Sequence, residues 1–376
     1  MREEIEWVDF VRQPQDADVH VLSASNSTGG GGEETVLRFV GLGRFQGVNT
    51  ELKSISQTGD TENVRRDKML RTLTVGLLGY VERAGGGGDL RISVEAREGG
   101  TGQTTDKDDP WRAWVFSIRG GGSLDRQESN REWNWEASAT ASRITERWIL
   151  DFNVNSETQH EEFNLDEEDE EPFKVVRRER GTNWFVGRAL GQHWSAGFEG
   201  EVTSSTFGNR RLAFSLVPTV EYNIFPYSEY ASRQLRIQYA IGVEHARYNE
   251  ITLFDKLRET NPGHAVDVVL QQVQPWGELD VGLEFRQYLH DTSKYRLEVN
   301  GELSFRISRG LSLNLEGSAS RIRDQLSLPR RDATPEEVLL RLRELQSSYQ
   351  VDFSANVTYR FGSIFNNIVN PRFGRN

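Results

Sequence analysis

The chain contains no cysteine, which removes disulfide scaffolds, thiolate metal sites and cysteine nucleophiles together and fits an oxidising compartment. It also lacks any apolar run approaching the about eighteen residues that a membrane-spanning helix requires. With a mean hydropathy of −0.62 and 27% charged residues, a helical membrane protein is excluded. The same hydropathy suits a soluble protein or a transmembrane β-barrel, because barrel strands alternate lipid-facing apolar residues with polar residues facing the interior. Cationic excess is absent as well: 45 Lys and Arg against 57 Asp and Glu leave a net charge of −12, which argues against nucleic acid as a partner. The N-terminal residues Met1 to Trp7 show neither the basic segment nor the apolar core of a secretory signal. The expectation is that the sequence begins at a mature start or in a truncated frame.

What is present is aromatic and glycine-rich: nine Trp, ten Tyr, nineteen Phe and thirty-five Gly, a mix suited to sheets with tight turns. Residues 3–13 read as a short helix carrying Ile5, Val8, Phe10 and Val11, stopped by Pro14. Val19–Leu22 and Val36–Val40 read as a hairpin turning through Gly29–Gly32, with a third strand over Thr50–Ser56. From Thr61, the spacing of Val64, Met69, Leu70, Leu73, Leu77, Leu78 and Val81 predicts a helix. Leu90, Ile92, Val94 and Ala96 alternate like a further strand. Gly29–Gly32 carries no Lys-Ser/Thr pair and leads into a strand, so it reads as a turn rather than a phosphate cradle. This makes residues 1–98 a small two-layer α/β domain, followed by a polar linker over 99–110. In topology alone it resembles the α/β domains of TolB-like and CsgG-like periplasmic proteins.

Beyond Pro110 the period changes to two. In Leu212, Phe214, Leu216, Pro218, Val220, Tyr222 and Ile224, every second position is apolar over thirteen residues. Twelve such segments are expected, at about 113–125, 130–143, 147–156, 176–190, 193–206, 211–225, 234–248, 264–275, 278–290, 294–308, 311–324 and 348–362. The fold class implied is mainly β: a 12-stranded antiparallel transmembrane β-barrel over 111–362, preceded by the α/β domain and followed by a tail over 363–376.

Connections alternate between short turns, such as TER, LGQ, QPWG and SRG, and longer or charged loops. This is the pattern of periplasmic turns and external loops. Both termini then fall on the short-turn side, which places the α/β domain in the periplasm of a Gram-negative outer membrane. Two aromatic girdles are expected, from Trp114, Trp148, Trp194, Trp276 and Phe361 on the short-turn side and Tyr248, Tyr288 and Tyr295 on the other.

The last segment, Val351, Phe353, Ala355, Val357, Tyr359 and Phe361, resembles the closing strand read by the barrel-insertion machinery, although fifteen residues follow it. The stretches QPWG, QYLHDTSKYRLE and FGSIFNNIVNPRFG resemble a family of uncharacterised bacterial outer-membrane β-barrel proteins, a likeness that covers most of the chain and implies no activity.

If the apolar positions face lipid, their neighbours face the interior. Arg236, Glu244, Asp280, Glu284, Arg286, Arg296, Glu298 and Glu302 are the candidate interior or solute-binding residues, either lining a polar path or filling it with ion pairs. The acidic stretch Glu157–Glu171 has no metal-ligand spacing, and no metal site or cofactor is expected. Lys174, Arg177, Arg178 and Arg180 are placed to meet lipopolysaccharide phosphates. Residues 334–346 have the pattern of an amphipathic helix within an external loop.

His290 and Ser293 lie close together without a hydrolase motif, so an enzyme is not expected. The function implied is a channel or binding pore for small polar solutes. The alternatives are a non-conducting anchor that holds the α/β domain beside a periplasmic partner and, third, an outer-membrane lipid hydrolase.

Overall fold

A computed structural model describes residues 5, 7–11, 14–86, 109–127, 130–163, 173–308, 310–330 and 347–362. The expected strand at 90–96, most of the linker, the amphipathic segment 334–346 and the tail from 363 lie outside these residues.

The N-terminal part holds a three-stranded antiparallel sheet, β1 (Val19–Ser27), β2 (Glu33–Gly41) and β3 (Asn49–Ser56), and a long helix, α1 (Glu62–Val81). The β1–β2 hairpin is longer than the apolar runs alone suggest, because its polar ends Ser25, Asn26, Ser27, Glu33 and Glu34 also pair. Thr28 and Gly32 close the turn, with Gly31 at a φ of 74°. Thr61 caps α1 by accepting the Val64 amide at 3.4 Å, satisfying one of the free donors of the first turn.

The helix lies on the sheet through a core of Ile5, Leu37, Phe39, Phe45, Leu77 and Tyr80. Gly76 is the reason for the close approach, since a Cβ there would come within 2.0 Å of the Phe39 ring. The helix expected over 3–13 does not form among the described residues: Trp7 and Val8 make a turn and Phe10 and Val11 are irregular. Ile5 instead inserts into the core with 1% exposure. The apolar residues of this stretch are used for packing without a helical backbone.

The remaining described strands form one antiparallel sheet of twelve, each paired with its neighbours in sequence. They are β4 (Trp114–Arg126), β5 (Asn130–Ile144), β6 (Trp148–Phe163), β7 (Phe173–Ala189), β8 (Trp194–Ser205), β9 (Arg210–Asn223), β10 (Arg233–Tyr248), β11 (Arg258–Gln274), β12 (Gly277–Tyr288), β13 (Tyr295–Ser308), β14 (Leu311–Ile322) and β15 (Tyr349–Tyr359). All twelve expected segments are strands. β6 and β11 run further than expected because the largely polar residues 157–163 and 258–263 continue the ladder after the apolar pattern stops.

The sheet is not closed: β4 and β15 are its two edges, with no pairing between them among the described residues. It is nevertheless curved. Glu201 on β8 is within electrostatic reach of Arg286 on β12, four strands away, which in a flat sheet would be about 19 Å. Their shared face is therefore concave. The opposite, convex face carries the apolar alternates, and these are exposed: Ile118 at 89%, Ile241 at 45% and Phe353 at 72%.

Several contacts join the N-terminal part to the short-turn edge of the large sheet. Lys53 and Tyr230 both hydrogen-bond Glu34, Arg306 meets His20 at 3.3 Å, and Gly29 packs against Ile144.

Candidate functional site

The concave face is the candidate site, and strand register decides which side chains meet there. Arg236, Glu244, Asp280, Glu284, Arg286, Arg296, Glu298 and Glu302 all share it, because the ladder register sets them on the side opposite the apolar alternates, of which Ile237, Val243, Leu283 and Val299 are exposed. Register sets them in rows across the strands. Asp267, Glu284 and Glu298 form one row, Arg286 and Arg296 a second, and Asp280, Glu302 and Glu316 a third. Like charges opposite one another are unfavourable in a sheet, so these rows need counter-charges from the strand direction or water between them.

The counter-charges are partly supplied. Arg236 lies 3.5 Å from Glu221, Arg286 pairs with Glu284, and Arg210 lies 3.8 Å from Glu244. Arg296 binds both oxygens of Asp324 at 2.9 and 3.0 Å and Glu298 at 3.1 Å. The row of Asp280, Glu302 and Glu316 is flanked instead by the uncharged Gln271 and Ser354. The side chain of Arg286 keeps 63% of its surface accessible, so this part of the concave face borders open space.

Several contributors were not legible in the sequence. Asp324 is expected as the last residue of a strand, yet that strand ends at Ile322 and the chain from Asp324 folds back over the concave face, burying Leu326, Ser327 and Leu328. Asn209 fastens it, donating to the carbonyls of Ser327 at 2.8 Å and Glu250 at 3.1 Å. A bridge between Thr252 and Pro329 ties it to the segment after β10. At the short-turn end, Tyr227 donates to Glu221 at 2.6 Å and lies 3.0 Å from Ser195. Burial and that carboxylate push the Tyr227 phenol up to about 12. None of these contacts has a local period that would announce it.

The aromatic expectation needs correction at two residues. Trp114, Trp148, Trp194, Tyr295 and Phe361 belong to the convex set, Trp114 stacked on Phe116, Trp194 beside Tyr222 and Phe361 on Tyr359. Trp276 lies in a turn 5.8 Å from the convex Phe305. Tyr248 and Tyr288 are on the concave face instead. Tyr248 is 5% exposed, packed with Ala213 and Ala246, and its hydroxyl donates to Glu259. Strand parity puts Tyr248 beside Ala246 rather than Val243; proximity to a strand end does not decide which side a ring takes.

The basic residues after the acidic loop divide in the same way. Arg177 turns inward to Glu161 at 3.5 Å and Gln159 at 3.4 Å, whereas Arg178 and Arg180 are exposed on the convex side. Part of the acidic stretch, up to Phe163, is β6 itself, and 164–172 lies outside the described residues. Ser293 donates to Asp291 at 2.7 Å, while the His290 ring lies beside Tyr288 at 5.7 Å. Among the described residues no cluster of three His, Asp or Glu is arranged to hold a metal ion. No described helix is long and apolar enough to cross a membrane, which says nothing about strands.

No protein-family model matches the chain, and no curated protein does. Among solved structures, the chain is similar to the NanC porin, at 9% identity and a TM-score of 0.31 over 66% of this chain and all of that one. It is similar to the translocator domain of the autotransporter NalP from Neisseria meningitidis, at 11% identity and a TM-score of 0.20 over 66% and 82%. A Pseudomonas aeruginosa FadL homologue matches at 9% identity and a TM-score of 0.27 over 66% and 73%. At scores this low the likeness carries no argument about activity.

Proposed function

We propose that the twelve strands close through β4 and β15 into a transmembrane barrel of the bacterial outer membrane, that the barrel passes small polar solutes, and that the N-terminal α/β part is its periplasmic plug. One observation carries this reading: the sheet is inverted relative to a soluble one, with Ile241, Phe353 and Ile118 exposed on its convex face and arginines and carboxylates gathered on its concave face. In water such a surface is unfavourable by about 25 cal/mol per Å² of apolar area. In lipid it costs nothing, while an unpaired sheet edge becomes the expensive feature, which is the physical reason for β4 to meet β15. An even strand number lets both edges run antiparallel on closure.

The N-terminal contacts fit a plug. A ring of twelve strands about 4.8 Å apart and tilted about 40° is about 24 Å across. The nine residues of β1 extend about 30 Å. The hairpin tip at Gly29 touches the end of β5, Lys53 and Glu34 reach Tyr230 between β9 and β10, and His20 reaches Arg306 on β13. The hairpin thus bars the short-turn mouth as a chord. At the far end, the chain around residues 326–328 covers part of the opening.

This double cover also favours a second reading, a closed barrel that anchors the α/β part beside a periplasmic partner. Single-channel recording on the full chain in planar bilayers separates the two. Lys53→Glu sets a carboxylate against Glu34 and releases the plug, so conductance steps should become larger and more frequent than in the unaltered chain. A protein that stays silent with this substitution supports the anchor. The absence of native cysteine permits a clean second arm: Gly29→Cys with Ile144→Cys, whose Cβ positions lie 2.7 Å apart, is within a small shift of disulfide geometry and should close the channel reversibly with oxidant and reductant.

A further inference from the structure

The net charge of −12 is not spread evenly. Carboxylates dominate the concave face, whereas the convex face at its long-loop end is basic. The densest part is formed by β5, β6 and β7, where Arg131, Lys174, Arg178 and Arg180 are exposed around Trp133 and Trp135. Among the described residues, Glu162 is the one carboxylate that register places among them, 3.6 Å from Lys174. Arg131 lies over the Trp133 ring at 5.4 Å, and Trp133 stacks on His160 at 4.8 Å.

The level of this patch is set by strand geometry. From Trp148, in the short-turn girdle, to Thr158 is ten residues of β6, about 33 Å along the strand and about 25 Å along the barrel axis at a tilt near 40°. That equals the height of the apolar band of an outer-membrane barrel, about 25 Å. Thr158 pairs with Trp135 on one side and Arg178 on the other. Arg178 and Trp135 therefore stand at the far interface. Arg180, one pleat lower beside Ser156, reaches the same plane by extending along its own stem.

We propose that this patch is a binding site for the phosphorylated headgroup of an anionic membrane lipid in the leaflet on the long-loop side. Arginine presents a planar fork of donors suited to phosphate oxygens, and the rings of Trp133 and Trp135 sit at the depth where a headgroup joins its acyl chains. The apolar band directly below, with Val154 and Phe152 at 56% and 40% exposure, receives the chains of the same molecule. A lipid matches both halves of the surface, whereas free phosphate matches one. The inference rests on the convex face being lipid-facing and is independent of conduction.

The test places the full chain in phosphatidylcholine nanodiscs containing a minority of diphosphorylated lipid A and counts retained lipid A by native mass spectrometry. Arg178→Gln with Arg180→Gln should weaken retention by roughly fivefold per arginine removed, and Arg178→Lys with Arg180→Lys, which keeps the charge but loses the planar fork, should weaken it less. Arg143→Gln with Arg188→Gln, the same charge change at the opposite rim, should leave it unchanged. Equal retention by all variants overturns the site, and so does equal loss at both rims, which would mean a general charge effect. Displacement by inorganic phosphate would assign the arginines to free anions and overturn the lipid. Failure of the unaltered chain to enter nanodiscs would remove the membrane reading and the site together. Entry without lipid A retention would overturn the site alone.

Discussion

The N-terminal part and the twelve-strand sheet are built from similar apolar residues and use them in opposite directions. Phe39 is fully buried under α1, whereas Ile241, in the middle of β10, has 45% of its surface exposed. Among the described residues, the buried cluster on the large sheet is confined to Ala213, Ala246 and Tyr248, where loops fold over its concave face. One region satisfies the hydrophobic effect internally, with a helix as cover. The other leaves its apolar face exposed, and in the proposed barrel that face is covered by lipid. The two regions thus place the same residue types on opposite sides of their sheets.

The contrast can be broken most strongly at Phe39. Phe39→Ala should destabilise the N-terminal part by about 3–5 kcal/mol, the cost of a large cavity. Hydrogen exchange should show β1 to β3 losing protection while β9 to β12 keep theirs. Equal loss in both would mean that the two regions share one cooperative unit.

The next largest effect is expected at Ile241. Ile241→Arg should cost about 2–4 kcal/mol in denaturant unfolding from vesicles if it faces the bilayer centre. If the convex face meets water, the same change at an exposed position stays within about 0.5 kcal/mol.

Thr61→Ala removes the cap of α1 and should cost about 1 kcal/mol, read as earlier local opening of the helix with the large sheet unaffected.

The smallest effects concern pH at the junction. The Tyr230 hydroxyl, with Lys53, holds the Glu34 carboxyl below its ordinary value. A depressed carboxyl contributes its stabilisation above the unfolded value, near 4.5, and loses it as pH falls through the depressed folded value. Hydrogen-exchange protection of the β1–β2 hairpin should therefore fall in acid, and Glu34→Gln should flatten that dependence. At the other extreme, Tyr227, pushed up to about 12, favours the folded state below the ordinary phenol range, near 10, and loses that contribution as pH rises from there through about 12. Its ionisation should be seen as a late phase in ultraviolet titration that Tyr227→Phe abolishes.

Much of the large sheet was legible because a period of two is local. Leu212 to Ile224 announces β9 without reference to any other strand, and the observed limits Arg210–Asn223 differ by a residue or two. The eight interior candidates follow from the same parity. Alternation gives no limit where polar residues continue a strand, as in β6 beyond Ser156 and β11 before His264, since pairing with a neighbour holds them there. Nearness to a strand end misplaces Tyr248 and Tyr288, because parity in the ladder decides their side. The spacing of Ile5 and Phe10 suggests a helix, but only Ile5's place against Phe39 and Leu77 explains why it is apolar.

By itself, then, the sequence determined the strands, their number and their two faces, because alternation is a property of neighbouring residues. Tertiary structure alone decided that Arg296 meets Asp324, that Asn209 holds Ser327 and that the β1–β2 hairpin lies against the ends of β5 and β13. The Arg296–Asp324, Asn209–Ser327 and His20–Arg306 contacts join residues 28, 118 and 286 positions apart in the chain. Such separations have no period, and only curvature of the sheet and folding of its loops bring them within reach.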